Sequence, residues 1–158
     1  AASSPLPEAE LARRLDGLFQ SAVTRMVPVS DLAGLFTRLH GRGLKLGVAS
    51  SDSAAAVAAT AAHFGFSERL AFSCGYDSGH GAKPGPGMAL AFCAATGLAP
   101  RRIAVIGDNR HDMEMGRSAG AGLRIAVLTG TGTRATLAPH CDLCLGSVAD
   151  IEHALFYN

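Results

Sequence analysis

Apolar residues first recur at helical spacing. Leu11, Leu15, Leu18, Phe19, Ala22 and Met26 fall three and four apart, which predicts a helix from Glu8 to about Val27, with Pro28 as its stop. Residues 1–5 read as a frayed end. Ser30 is placed to cap a second helix whose apolar face is Leu32, Leu35, Phe36 and Leu39; Gly41 and Gly43 end it. The run Leu44 to Ala49 reads as a strand that stops at four polar residues, Ser50-Ser51-Asp52-Ser53. These turn the chain into an Ala-rich helix, Ala54 to Phe64, closed by Gly65. Leu70 to Cys74 is a second strand. Pro84 and Pro86 open a helix to about Thr96, and Gly97 closes it.

The stretch around which the rest is arranged is Ile103-Ala104-Val105-Ile106-Gly107-Asp108-Asn109-Arg110-His111-Asp112. Its four apolar residues predict a short buried strand ended by Gly107. Asn109 is placed to cap a helix running from about Asp112 to Ala119. A strand over Leu123–Leu128, a turn at Thr129–Thr133, a short helix ending near Pro139, a strand over Asp142–Leu145 and a helix over Val148–Phe156 complete the chain. Strands alternating with helices predict right-handed parallel crossovers and an α/β sheet covered on both faces. There is no internal repeat.

The 158 residues suit one ordinary domain, and 48% apolar against 17% charged residues supply a core and argue against disorder. A net charge of +1 offers no basic field for nucleic acid, and no run reaches the length of a membrane span. Ala1-Ala2-Ser3-Ser4-Pro5 has no signal-peptide character. Four unevenly spaced cysteines then point to reduced thiols in a cytoplasm.

Candidate chemistry gathers at strand ends. Asp108 sits at the carboxyl end of its strand, where open α/β sheets place ligands. Asp112, on the first helical turn, can point back to it. Two converging carboxylates suit Mg²⁺; alternatively Asp108 is solvated and Asp112 complements the helix dipole. Ser50 directly follows a strand, so its hydroxyl and the backbone N–H of Ser51 can hold a phosphate oxygen, or Ser50 is only a turn former. Lys83, beside Pro84 at an expected helix start, is oddly placed for the helix dipole and can neutralise phosphate charge.

In this order, strand-Ser50, Lys83-Pro84 and Gly107-Asp108-x-x-x-Asp112 resemble the second, third and fourth motifs of the haloacid-dehalogenase-type hydrolases. The resemblance covers about Leu32 to Asn158. The Gly75-Tyr76-Asp77-x-Gly79…Lys83-Pro84 run and Leu128-Thr129-Gly130 are most similar to the phosphoglycolate-phosphatase-like branch. The resemblance implies a three-layer, Rossmann-like α/β core with a parallel sheet over residues 28–158, preceded by the remnant of a helical cap over residues 1–27. It implies a Mg²⁺-dependent phosphatase of small phosphorylated metabolites, working through an aspartyl-phosphate. Ser50 and Ser51 would bind the phosphoryl group, and Lys83 would orient nucleophile and phosphate. Asp108 would ligate Mg²⁺, and Asp112 would assist at the metal or hold Lys83.

One part of the family pattern is missing. Its first motif is a strand ending in Asp-x-Asp, which supplies the nucleophile and the acid/base, and no Asp-x-Asp occurs here. Asp16-Gly17-Leu18 imitates its tail but lies in a helical pattern behind Arg13 and Arg14. The expectation is therefore a C-terminal part of a longer enzyme, inactive alone, with the core's first strand absent from between the Ser50 and Asp108 strands. Unpaired edges there are costly. Either the N-terminal segment or a second copy fills the slot, or the two strands pair directly. The alternatives are a dehalogenase or phosphonate hydrolase of the same fold, and a catalytically inactive binding or regulatory module.

Other features carry less. Cys141 and Cys144 straddle a strand, where positions three apart face opposite sides, against a zinc or redox pair. His80 lies in the loop before Lys83 and can touch substrate or be solvated. His111 reads as an exposed helix residue, and Thr129–Thr133 as a turn rather than a phosphate loop.

Overall fold

The computed structural model describes residues 7–157; the expectation for residues 1–5 and the side chains of Asp16 and Phe19 fall outside the described residues. Helix α1 (Glu8–Val23) ends before the expected Val27. The chain there tightens into a turn, with the Arg25 N–H donating to Ala22 O and the Met26 N–H to Val23 O. Pro28 also disfavours helical backbone at the residue before it. Residue 16 lies inside α1, so Asp16-Gly17-Leu18 is helix and not a strand end.

Helix α2 (Leu32–Gly41) is capped by Asp31 rather than Ser30. The Asp31 carboxylate accepts the Gly34 N–H at 2.9 Å, while the Ser30 hydroxyl is buried without a partner. Strand β1 (Leu46–Ala49) starts later than Leu44 and slips register against β2 (Leu70–Cys74) at Leu46/Gly47. Between them, α3 (Ala54–His63) is capped by Ser53 and packs against α1. Helix α4 (Gly87–Thr96) begins later than Pro84, because residues 82–85 form a turn in which the Gly85 N–H donates to Ala82 O. Lys83 thus sits in a turn ahead of the helix. Then follow β3 (Ala104–Gly107), α5 (Arg110–Ala119), β4 (Leu123–Val127), α6 (Arg134–Leu137), β5 (Leu143–Leu145) and α7 (Ile151–Phe156).

All strand pairs are parallel, and helices cover both faces. On one face Cys74, Phe72 and Ala49 join Val105 against α4 and α5, through Met88, Ala89, Cys93, Met115 and Ala119. On the other, Leu46, Ile125, Leu143 and Leu145 pack on Leu35 and Leu39 of α2 and Ile151 of α7. The alternation along each strand sorts the side chains between the two layers. This is the expected three-layer α/β core.

The sheet, however, is split. Strands β1 and β2 form one piece and β3-β4-β5 another, with no pairing between β1 and β3. Direct pairing of these two strands, one of the two expected outcomes, does not occur. Two apolar clusters span the break, joining Ala49 to Val105 on one side and Leu46 to Ile125 on the other, so the two pieces share one core through the helix layers without a ladder between them. Ile106, expected to be buried, is 41% exposed at this break.

Cys141 and Cys144 differ from expectation too. Cys141 precedes β5 and the chain bends at Asp142, so both cysteines pack on the cluster of Met113, Ala126 and Leu137. The bend is held by Arg124, which binds both carboxylate oxygens of Asp142 and, with its backbone N–H, keeps that carboxyl below the usual range.

Candidate active site

The exits of β1 and β3 face one another across the break. Between them lies a cleft of about 420 Å³. It is lined by Val48, Ala49, Ser50 and Ser51 from the first strand and its exit, by Lys83, and by residues 106–109, His111, Asp112 and Thr131. All five candidate residues, Ser50, Ser51, Lys83, Asp108 and Asp112, therefore line one cleft, although they are spread over three separate parts of the chain. His80 is not among the lining residues; its ring lies 5.9 Å from that of Phe72. His111 is exposed, as expected, and lines the cleft as well.

Each position has a local cause. The Ser50 N–H donates to Cys74 O at 3.0 Å, prolonging the β1–β2 ladder by one residue and fixing where the serine leaves the sheet. Asp112 is buried, and both of its oxygens are engaged. Oδ1 accepts from Lys83 Nζ at 2.7 Å, and Oδ2 accepts from the Asn109 N–H at 3.1 Å. The second bond closes a capping box in which the Asn109 side chain accepts from the His111 N–H. Gly107 makes this possible, since a Cβ there would overlap the Asp112 carboxylate. Burial pushes the Cys74 thiol up, and the charge of Lys83 opposes the rise.

Asp108 is held by the Thr129–Thr133 turn. Its Oδ2 accepts the Thr131 N–H at 2.9 Å. The Asn109 side-chain amide donates to Thr131 Oγ1 at 3.2 Å. The Thr129–Thr133 turn wraps the aspartate so closely that a Cβ on Gly130 would overlap its carboxylate, and one on Gly132 its carbonyl oxygen and Leu137. The paired glycines of Thr-Gly-Thr-Gly-Thr were the available signal. Accordingly, Gly130→Ala should displace Asp108 and destabilise the fold by about 1–3 kcal/mol, the usual cost of forced overpacking. Urea unfolding measures it; an unchanged midpoint would show that the turn yields freely.

The donor set can be tested against Mg²⁺. Asp108 keeps Oδ1 without a hydrogen-bond partner among the described residues and opens on the cleft. Asp112 has no free oxygen in this arrangement. No group of three His, Cys, Asp or Glu residues capable of caging a metal occurs among the described residues. Mg²⁺ usually takes one or two carboxylates, with water and substrate phosphate filling the rest of its shell. Asp108 fits that habit.

The model of the haloacid dehalogenase-like hydrolase family matches residues 5–120 of this sequence. The chain belongs to that family. No curated protein matches it by sequence. Among solved structures, the chain resembles a "predicted phosphoglycolate phosphatase" from Haemophilus somnus at 21% identity and TM-score 0.77, over 96% of this chain and 69% of the other. It resembles CbbY from Rhodobacter sphaeroides, in complex with phosphate, at 23% identity and TM-score 0.77, over 95% and 68%. A family member from Deinococcus radiodurans, with bound phosphate and sodium, matches at 22% identity and TM-score 0.75, over 96% and 69%. These likenesses show the fold. The chain spans about two thirds of the length of each. No described helix is long and apolar enough to cross a membrane.

Proposed function

We propose that this hydrolase is the larger part of a phosphatase of small phosphomonoesters. The observation that carries the reading is the single cleft in which a hydroxyl, an ammonium held at 2.7 Å by a buried carboxylate, and an open carboxylate converge at the sheet's carboxyl edge. Ser50 and the Ser51 N–H would hold phosphate oxygens. Lys83, locked by Asp112, would neutralise their charge at a fixed point, because phosphoryl transfer depends on positioning and charge stabilisation. Asp108 would hold Mg²⁺, which when bound lends further charge neutralisation. We assign Asp112 first to Lys83, which it meets at 2.7 Å. Reduced cysteines would place the protein in the cytoplasm.

The nucleophile is the remaining part. Strands β1 and β3 turn unpaired edges toward the cleft. A strand entering between them, parallel to both, would end beside Ser50, Lys83 and Asp108. We place the family's Asp-x-Asp carboxylates there, on a segment outside residues 1–158, with α1 as the remnant of a helical cap. The exposed Leu11, Leu15 and Leu18 of α1 are consistent with a larger helical layer. The inactive binding module remains the second reading, favoured by the absence of Asp-x-Asp from the chain.

Titration of the chain with inorganic phosphate by calorimetry tests the binding half. Ser50→Ala should weaken phosphate several-fold, less than the full worth of one hydrogen bond to a charged group because the hydroxyl must first leave its bond to Asp52. Equal affinity in the two proteins would remove Ser50, and with it the phosphate reading of the cleft.

A further inference from the structure

The Ser50 hydroxyl has one proton to donate, and in this structure it donates it to a neighbour. Ser50 Oγ donates to Asp52 Oδ2 at 3.0 Å, and the Asp52 N–H donates back to Ser50 Oγ at 3.1 Å. The hydroxyl is thereby used as donor and as acceptor within its own loop. The loop is not free to drift away from this arrangement. Asp52 O accepts the Tyr76 N–H at 2.9 Å, tying it to the exit of β2. Gly75 lies so close that a Cβ would overlap Asp52 O and the Ala54 nitrogen. Ser53 is committed to the cap of α3, and the Ala54 N–H to Asp77 Oδ1 at 2.8 Å. The Asp52 carboxylate is exposed and forms no ion pair among the described residues. Its negative charge thus stands next to the group that would receive an anion.

We infer that Asp52 is a positioning residue that competes with phosphate for the Ser50 hydroxyl and restrains anion binding in the cleft. This rests on the reading of Ser50 as a phosphate holder. A phosphate oxygen has no proton to offer Ser50 when ionised, so it can bind the hydroxyl only as an acceptor. That requires the O–H to rotate out of its bond to Asp52. Phosphate then gains one hydrogen bond and the loop loses one, while two negative charges are brought together. The exchange keeps the affinity for free phosphate low. In a phosphatase this favours release of the inorganic product.

The test is a mutant cycle read by calorimetry with inorganic phosphate, using the chain, Ser50→Ala, Asp52→Ala and the double variant. Removing the competitor should tighten phosphate about three- to tenfold, the range of one net hydrogen bond. In the Ser50→Ala background the gain should vanish, because there is no hydroxyl left to release. Asp52→Asn, which keeps an acceptor but not the charge, should gain less; it also serves if Asp52→Ala fails to fold. An unchanged or weaker affinity in Asp52→Ala overturns the inference. So does an equal gain in both backgrounds, which would reduce the effect to bulk charge. If Ser50→Ala itself changes nothing, the phosphate reading fails, whereas a loss in Ser50→Ala with no gain in Asp52→Ala or Asp52→Asn sinks only the role of Asp52. Absence of phosphate binding in every variant overturns both.

Discussion

With a strand ending in Asp-x-Asp fused ahead of residue 7 through a flexible linker, the chain should become both more stable and active, while unfused it shows no more than trace turnover of p-nitrophenyl phosphate. The expectation follows from the split sheet. Strands β1 and β3 each leave a row of N–H and C=O groups unpaired toward the cleft. A backbone group left unsatisfied where water is restricted costs about 1–3 kcal/mol, against a total stability of about 5–15 kcal/mol for a whole domain. Pairing even three such groups is worth about 3 kcal/mol or more. For a chain of this size that raises Tm by about 6–12 °C. An inserted strand would also cover Ile106, now 41% exposed.

Activity is a separate consequence. Covalent phosphoryl transfer needs an acceptor nucleophile, which the proposed scheme places on a carboxylate. Ser50, Lys83 and Asp108 can bind and neutralise, but none is that acceptor in the proposed scheme. A fused strand ending in Asn-x-Asn should therefore stabilise as well as the Asp-x-Asp version and remain inactive. Both fusions are compared by thermal unfolding and by phosphate release with Mg²⁺ present. A fusion that leaves Tm unchanged would show that the slot does not accept a strand. Turnover by the unfused chain, abolished by Asp108→Ala, would place the nucleophile within residues 1–158 and end the proposed division of labour.

The second large effect concerns Lys83. The Lys83 and Asp112 side chains are only 14% and 8% exposed, and their charged atoms meet at 2.7 Å. Removing one member of a buried pair strands the other charge, at a cost of about 3–5 kcal/mol. Asp112 keeps the Asn109 N–H, so Lys83→Met should fall near the lower end, at about 3 kcal/mol. The methionine retains most of the lysine's volume, which limits any cavity contribution. Adding Asp112→Asn should recover part of the loss, since a neutral amide no longer requires the cation and can still accept from Asn109. Urea unfolding of the three variants decides the matter. A cost below about 1 kcal/mol for Lys83→Met would mark the pair as effectively solvated, as surface pairs are. A double variant less stable than Lys83→Met would mean that Asp112 serves mainly its capping box.

Much of the molecule was legible in the linear chain because its signals are local. The alternation of helical and strand patterns announced parallel crossovers, and the structure is built that way. Asn109 was recognisable as a cap from its position alone. The corrections fall where a neighbour distant in sequence, or a single-residue offset, decides. Ser30 and Asp31 are equally good caps on paper; only the start of α2 at Leu32 brings Asp31 to the Gly34 N–H. The Cys141–Cys144 pair obeys strand alternation only if the chain is straight, and Arg124 bends it at Asp142. The Thr-Gly-Thr-Gly-Thr run reads as a turn, and it is one, but its duty toward Asp108 depends on a loop from another crossover.

The order of the motifs, their placement at strand exits and the missing Asp-x-Asp are properties of the sequence by itself, because a residue's position relative to the end of its own strand is set by nearest neighbours. Tertiary structure alone brought Lys83 to Asp112 and the Thr131 N–H to Asp108. It also left β1 and β3 apart. Those outcomes depend on the register of parallel strands joined by crossovers and on helices packed over both faces, and such long-range geometry is set by the whole core rather than by any segment of it.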